Sequence, residues 1–554
     1  MKKFLLRFLA FVLLLAIGFA AGFFYPFTKK GNFTTKDMAK AGQIMDIQFE
    51  MSELDSAFNS LKEQQEKYQA LREMKMPNGV WPSILFNPIP TGKQFNKEQE
   101  VIKYSSYSGT MMPDDINELA WFSIGQLAEL LQTQQISSVS LTEFFIDRIK
   151  KYDPQLHAVI TLTEDLAMQQ ARRADSEIQA GIYKGMLHGV PYGVKDLLNT
   201  KKYKTTYGAM PYKDQVINED ATVVKMLEEA GAVLIAKLTL GALAMGDVWY
   251  DEMTRNPWNT EIGSSGSSAG PASAVSAGFL PFAIGSETWG SIVSPSTRCG
   301  TTGLRPTYGR ISRSGAMALS WTMDKLGPIT RYVEDAAIVF ETIYGPDYID
   351  PTIIDLPFNY DHDVDFSKMK IGYIRSAFER DSSMQTFNYA ALKVMEDLGA
   401  VLVPFELPEM NAYDLAFLLS AEAAAAFDQL TLSNKDDLLV MQDQNSWPNI
   451  FRSARFIPAV EYIQANRART LLIQQMEEKM KGFDVIITPS FGKQLLLTNL
   501  TGHPCVVLPN GFKKPDKPIS ISFIGQLFEE GKVLAVAKAY QDATEHHLKH
   551  PVLE

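Results

Sequence analysis

From about Trp121 to the C-terminus, stretches in which apolar residues recur every three or four positions alternate with short, nearly continuous apolar runs. The first pattern marks amphipathic helices and the second marks buried strands. The spacing predicts helices over 123–132, 140–151 and 163–180, with a strand over 158–162 before the last of them. An apolar stretch punctuated by Gly and Pro, 187–196, reads as a strand and carries Lys195 at its end. A helix over 221–230 and a strand over 232–236 follow. Beyond Asp350 the pattern continues with strands at 370–374 and 401–405 and helices at 385–398, 411–430 and 458–481. Strands at 484–488, 505–508 and 519–524 and a closing helix at 531–549 complete it. This alternation predicts an α/β fold, a mixed β-sheet core covered by helices on both faces.

Ahead of this body, residues 35–76 read as one long charged helix. Ile47, Met51, Leu54, Phe58, Leu61 and Tyr68 form one stripe, a face to pack on the body or against a partner helix. Residues 77–113 carry Pro, Gly and Asn with little periodicity and read as an extended connector. The start is different in kind: Lys2, Lys3 and Arg7 precede an apolar run from Phe8 to Phe27, and Lys29 and Lys30 follow it. That run is long enough to cross a bilayer and also fits a cleavable signal peptide. Basic residues mostly ahead of it predict an exported body in the cell envelope, or a secreted one after cleavage. The expected organisation is an anchor or signal over 1–28, a helical extension and connector over 29–120, and a body over 121–554 whose variable stretch, about 350–481, contributes to a substrate cleft.

The chain has 554 residues, enough for a substantial core. Its 53 basic and 64 acidic residues give a formal charge of −11, which argues against a nucleic-acid partner because phosphate binding needs a basic face. The two cysteines, Cys299 and Cys505, lie far apart in apolar or Gly-rich segments and read as buried free thiols. Seven scattered histidines in no ligand spacing predict neither a metal site nor a cofactor.

The candidate chemistry concentrates between Gly263 and Gly303, a stretch dominated by Gly, Ser, Ala and Thr. Residues 269–277 are small but helix-competent, with Ser267 and Ser268 ahead as N-caps and Gly278 at the stop position. Residues 279–284 read as a buried strand, and 285–291 must then turn sharply. A helix of small residues lies close to a sheet, so the turns carrying Ser267 and Ser291 can meet. Two arrangements compete. Gly266-Ser267-Ser268-Ala269-Gly270 fits the G-x-S-x-G nucleophile elbow, with Ser268 as nucleophile and His503 as the later base. That elbow needs a preceding strand, and residues 256–263 read as turn formers. The other arrangement uses no histidine. Burial of Lys195 without a carboxylate partner would favour its neutral amine, which can accept a proton through an intervening serine, while Gly-flanked amides hold an oxyanion.

At this level of detail the chain resembles the amidase signature family of Ser-cisSer-Lys amidohydrolases. Gly189-Val190-Pro191-Tyr192-Gly193-Val194-Lys195-Asp196 is similar to the family's lysine motif. Gly266 to Gly270 and Gly285 to Ile292 are similar to its two serine motifs. Cys299 to Arg310 and Asp324 to Pro328 resemble further family blocks, and the likeness runs from about Phe122 to His546. The resemblance implies the amidase signature fold over the body, Lys195 as base, Ser267 after a cis peptide as relay, and Ser291 as acyl-forming nucleophile. It also implies an oxyanion hole from the amides of Thr288, Trp289 and Gly290 with that of Ser291. Ser265 and Ala269 stand where the family usually has glycine, Pro271 sits in the following helix, and Trp289 takes a position often held by glycine.

What the resemblance implies is an amidase with no cofactor, cleaving the C–N bond of a small-molecule or peptide-like amide. Membrane contact through the N-terminal helix belongs to this reading, and a homo-oligomer is left open. Two alternatives stand beside it. One is a glutaminase-type subunit of a tRNA-dependent amidotransferase, disfavoured by the export-type start and the acidic charge. The other is a non-catalytic membrane-tethered scaffold, disfavoured by intact Lys195, Ser267 and Ser291.

Overall fold

A computed structural model describes residues 33–74 and 76–554. The anchor or signal segment expected at 1–28 lies outside the described residues. Among the described residues, no helix is long and apolar enough to cross a membrane. The chain divides into two compact units, Met1–Met76 and Pro77–Glu554.

In the first unit the expected single helix is two, Thr35–Ile44 and Met51–Glu73. The break follows from backbone and capping. Asp46 adopts a left-handed φ of 52°, and a new start is then made at Glu50, whose amide donates to Glu53 Oε2 at 2.8 Å. Of the predicted stripe Leu54 is buried, while Met51 and Tyr68 are exposed.

The second unit is built on one mixed sheet of eleven strands. In chain order its strands are β1 (Val159–Leu162), β2 (Pro191–Lys195) and β3 (Val233–Leu238). After a small separate hairpin, β4 (Arg255–Asn256) and β5 (Asn259–Gly263), come β6 (Phe282–Glu287), β7 (Thr302–Arg305) and β8 (Lys325–Thr330). The last five are β9 (Lys370–Tyr373), β10 (Val401–Pro404), β11 (Val485–Pro489), β12 (Cys505–Lys514) and β13 (Lys517–Gly525). The spatial order is β1-β3-β2-β6-β8-β7-β12-β13-β11-β9-β10. β2 runs parallel to β3 and β6, and β9 parallel to β10 and β11, while the other neighbours are antiparallel. Successive side chains of a strand point to opposite faces. Every residue of β2, β3 and β8 is buried, so the sheet's centre is covered on both faces, as the α/β reading expects.

Three local expectations change. The predicted helix over 411–430 is a short 3₁₀ turn, Ala412–Leu415, followed by helices Phe417–Ala426 and Asp428–Leu432. The strand predicted to start at Phe279 starts at Phe282, because Gly278 turns at a φ of 69° and Pro281 intervenes. Residues 256–263, read as turn formers, include β5, which pairs with β4 around Pro257-Trp258; Trp258 Nε1 pins the hairpin by donating to the Cys299 carbonyl at 2.8 Å.

Candidate active site

Three neighbouring segments converge at one end of the sheet. β2 delivers Lys195 at its last position, and in the parallel register Val194 lies beside Ile284, so Lys195 is level with the end of β6 and the turn after it. The helix Ala269–Ser276 brings Ser267 and Ser268 to the same level. All eight of its residues are buried. Its small side chains are required: a Cβ on Gly270 would stand 2.4 Å from the Thr239 nitrogen and 2.5 Å from the Ala158 carbonyl oxygen. The Gly266–Ser267 peptide bond is cis. Ser265, where the family usually has glycine, has a φ of 63° and is held by its amide donating to Asp247 Oδ2 at 2.7 Å.

Lys195 Nζ lies 2.8 Å from Ser267 Oγ, 3.2 Å from Ser268 Oγ and 2.8 Å from Ser286 Oγ. The lysine is fully buried, and no carboxylate is within ion-pair distance of it among the described residues. Burial therefore dominates. It brings the ammonium pKa down from 10.5 to about 7, against a smaller opposing pull from the charges of Asp324 and Glu287. Ser268 donates its own proton to the Ser286 carbonyl at 3.0 Å, so it can only accept from the lysine. A neutral amine has two protons and one lone pair. With Ser268 as acceptor, either Ser267 or Ser286 can donate to that lone pair, which is the state a proton relay starts from.

Lys237, the buried lysine on the neighbouring strand, is the contrast. Its Nζ is 2.8 Å from Asp196 Oδ1 and donates to the Lys204 carbonyl at 2.6 Å. Asp196 follows Lys195 directly and also accepts from Thr206 Oγ1 at 2.6 Å, so this network anchors the end of β2.

Ser291 sits in the turn after β6 and is half-buried. Its carbonyl accepts from the Ser268 amide at 3.1 Å, which ties the two serine turns together. Gly290 turns at a φ of 87°, and a Cβ there would lie 3.2 Å from Leu495. Among the described residues, the amides of Thr288, Trp289, Gly290 and Ser291 donate to no protein acceptor. The next two amides, of Ile292 and Val293, donate to Glu287 Oε2 at 2.8 and 3.0 Å. A run of unpaired amides in a turn is an anion cradle. Thr288 Oγ1 braces it by donating to Asp324 Oδ1 at 2.6 Å. Trp289 is 37% exposed and meets Tyr413 edge-on at 5.9 Å.

The turn rests on a buried charge cluster. Glu287 accepts from Arg305 Nη1 at 2.8 Å and from Asn499 Nδ2 at 2.8 Å. Burial alone would raise the Glu287 pKa, but the Arg305 charge and these hydrogen bonds hold it at about 2. Glu287→Gln strands the Arg305 charge, so we expect a loss of about 3–5 kcal/mol in urea unfolding. Because the folded pKa lies below the ordinary 4.5, this stabilisation is complete above about pH 4.5 and is lost as pH falls toward 2. A loss as large in an E287M/R305M double variant, where no charge is stranded, would refute this account.

The competing elbow is not assembled. Ser268 is engaged by Lys195 and Ser286, while His503 is buried, shares a hydrogen bond with Thr501 Oγ1 at 2.8 Å and has its pKa pushed down by burial to about 3. Ser286 is the hydrogen-bond partner of Lys195 to which the sequence alone assigns no role. It sits one residue before Glu287, and only the register of β6 turns its hydroxyl to the lysine. Cys299 and Cys505 are free and buried. Asp361, His362 and Asp363 bring their donor atoms within 4.8 Å of one another, but they are consecutive residues on a polar, partly exposed loop.

A partly neutral buried lysine among serine hydroxyls, beside a turn of unpaired amides on a mixed α/β sheet, is the equipment of a lysine–serine hydrolase. The amidase family model matches residues 140–534, and the chain belongs to this family of enzymes acting on C–N amide bonds. A glutamyl-tRNA(Gln) amidotransferase subunit of Moorella thermoacetica is 33% identical over 485 residues, 79% of this chain and 99% of that protein. An amidase family protein from Bacillus anthracis superposes with a TM-score of 0.72 at 26% identity, over 79% of this chain and 93% of its own. The peptide amidase of Stenotrophomonas maltophilia superposes with a TM-score of 0.69 at 27% identity, over 78% and 98%. The expectation of a cell-envelope location is corrected by the relatives, which at this identity include subunits named for a tRNA-linked amino acid.

Proposed function

We propose that the enzyme hydrolyses a carboxamide through a Ser291 acyl-enzyme, with Ser267 relaying protons to and from Lys195. Neutral Lys195 accepts the Ser267 proton as Ser267 takes that of Ser291. The Ser291 oxygen forms a bond to the amide carbon, and the carbonyl oxygen gathers negative charge against the amides of Thr288, Trp289, Gly290 and Ser291. Collapse breaks the C–N bond, and the proton held by Lys195 returns through Ser267 to the departing amine. Water then attacks the acyl carbon and gives a proton to the same relay; the Ser291 Oγ–acyl bond breaks, that proton returns through Ser267 to Ser291 Oγ, and the carboxylic acid leaves. The single observation carrying this reading is Lys195 Nζ, buried without a carboxylate partner and 2.8 Å from Ser267 Oγ.

The test is to treat the protein with a fluorophosphonate and map the modified residue by mass spectrometry, with Lys195→Ala as control. Labelling at Ser291 that disappears in the control is expected. Labelling at Ser268 or another serine would refute the assignment.

A second reading rests on the relatives named as glutamyl-tRNA(Gln) amidotransferase subunits. In it the amide is that of glutamine and the ammonia passes to a partner protein. The excess of acidic residues argues against direct tRNA contact. Ammonia release from glutamine in preference to other carboxamides would favour this second reading.

A further inference from the structure

A cavity of about 520 Å³ opens at the opposite end of the sheet from Lys195. The strand registers fix that placement. Glu287 pairs with Lys325, Arg305 with Cys505, and Ile524 with Cys505, so these residues share the Lys195 end. Lys514 and Lys517, paired at the tip of the β12–β13 hairpin, and Pro489 at the end of β11 lie at the other end, and all three line the cavity. Neither Lys195, Ser267 nor Ser291 borders it.

Four cationic side chains line it, Arg298, Arg380, Lys514 and Lys517, against two acidic ones, Asp381 and Asp516. Asp381 accepts from the Ser383 amide at 2.9 Å, and Asp516 lies 3.5 Å from Asn259 Nδ2, itself a lining residue, so four cationic groups face two carboxylates and the lining is net positive. Among the described residues, the side chains of Arg298, Lys514 and Lys517 have neither an ion-pair partner nor a hydrogen-bond acceptor. In a chain with a formal charge of −11, that is an unusual concentration of uncommitted positive charge. Arg380 is fixed in place by donating to the Phe491 carbonyl at 2.6 Å.

The floor is not a generic surface. Buried Ser490 and Ser520 share a hydrogen bond at 2.7 Å, and Ser520 continues to Thr297 at 2.6 Å, which donates to the Val293 carbonyl at 2.8 Å. These hydroxyls satisfy one another and leave the charged rim to select the ligand. Apolar walls come from Ile262, Met384, Phe491 and Ile519, and Phe491 is 44% exposed. The volume lies in the range of about 300–1,000 Å³ typical of small-molecule sites.

We propose that this cavity is a second binding site, for a small organic anion with an apolar body. The anionic group would meet Arg298 and the hairpin lysines, and the body would pack against Phe491 and Ile519. An apolar wall alone would accept a neutral molecule equally well, so charge is the discriminating variable.

The probes are 4-phenylbutyrate, its neutral analogue 4-phenylbutan-1-ol and its cationic analogue 4-phenylbutylamine, titrated calorimetrically into the full-length protein and an R298Q/K517Q variant. The acid is expected to bind at least about tenfold more tightly than the alcohol, to weaken with added salt, and to lose at least about tenfold in the variant. Both replaced residues are exposed at the cavity rim, so unchanged circular dichroism in the variant is expected. Equal binding of acid and alcohol, absence of saturable acid binding, or full acid binding in the variant would each overturn the proposal. The last result would place the anion elsewhere, including at Ser291, where a carboxylic acid is the proposed product. Fluorophosphonate labelling is a separate readout: the second site stands or falls whatever residue that reagent modifies.

Discussion

Ser291→Ala should reduce carboxamide turnover by at least about 10⁴-fold while leaving the fold in place, the scale seen when a serine nucleophile is removed from a machinery that otherwise stays intact. The side chain is half-buried and its hydroxyl donates to no protein group among the described residues, so its loss leaves no buried partner unsatisfied. Unfolding free energy should move by less than about 0.5 kcal/mol. Ser268→Ala is the discriminating companion. Its hydroxyl is an acceptor for Lys195 and for the Ser286 amide, so its removal should lower the rate far less than Ser291→Ala does. A Ser291→Ala enzyme that kept a tenth of the wild-type rate, measured by ammonia release, would remove Ser291 from the nucleophile's role.

Much of this arrangement was legible in the sequence because its determinants are local. Strand β2 announces itself by apolar residues between Gly and Pro, and a lysine at its end is conspicuous in one dimension. The helix of small residues and the two serine turns are likewise short-range features. What escaped depends on contacts between distant segments. Ser286 is one hydroxyl among many in a Ser-rich stretch, and only the parallel pairing of β2 with β6 sets it beside Lys195. The charge cluster under the turn joins Glu287, Arg305 and Asn499 across more than 200 residues of chain. The cationic cavity is similar: Arg298, Arg380 and Lys514 fall in three unrelated segments, in a chain whose overall charge points the other way. The apolar spacing over 411–430 is continuous and predicts one helix. The three short elements found there show tertiary packing overriding a weak helical preference.

Lys195→Met should lower kcat/KM by about 10³-fold at neutral pH and should also abolish a pH dependence that the wild type shows. Only the neutral amine can take the relayed proton. With the folded pKa at about 7, the wild-type rate should rise about tenfold per unit below that value and level off above it. Stability has a pH window of its own. The folded pKa is depressed from 10.5, so between about 7 and 10.5 the unfolded chain binds the proton that the native protein does not. Wild-type stability contributed by this group therefore increases with pH across that window, and below it the native state carries the full cost of a buried ammonium. Methionine fills the same space without that cost. The variant should be more stable than wild type at and below pH 7, with the advantage fading toward pH 10.5. A lysine that merely filled space at the strand end would give the same stability window but no titrating rate, so the rate is the discriminating readout. Persistence of the rising limb in Lys195→Met, followed as ammonia release between pH 5 and 9, would assign the titration to another group and remove Lys195 as the base.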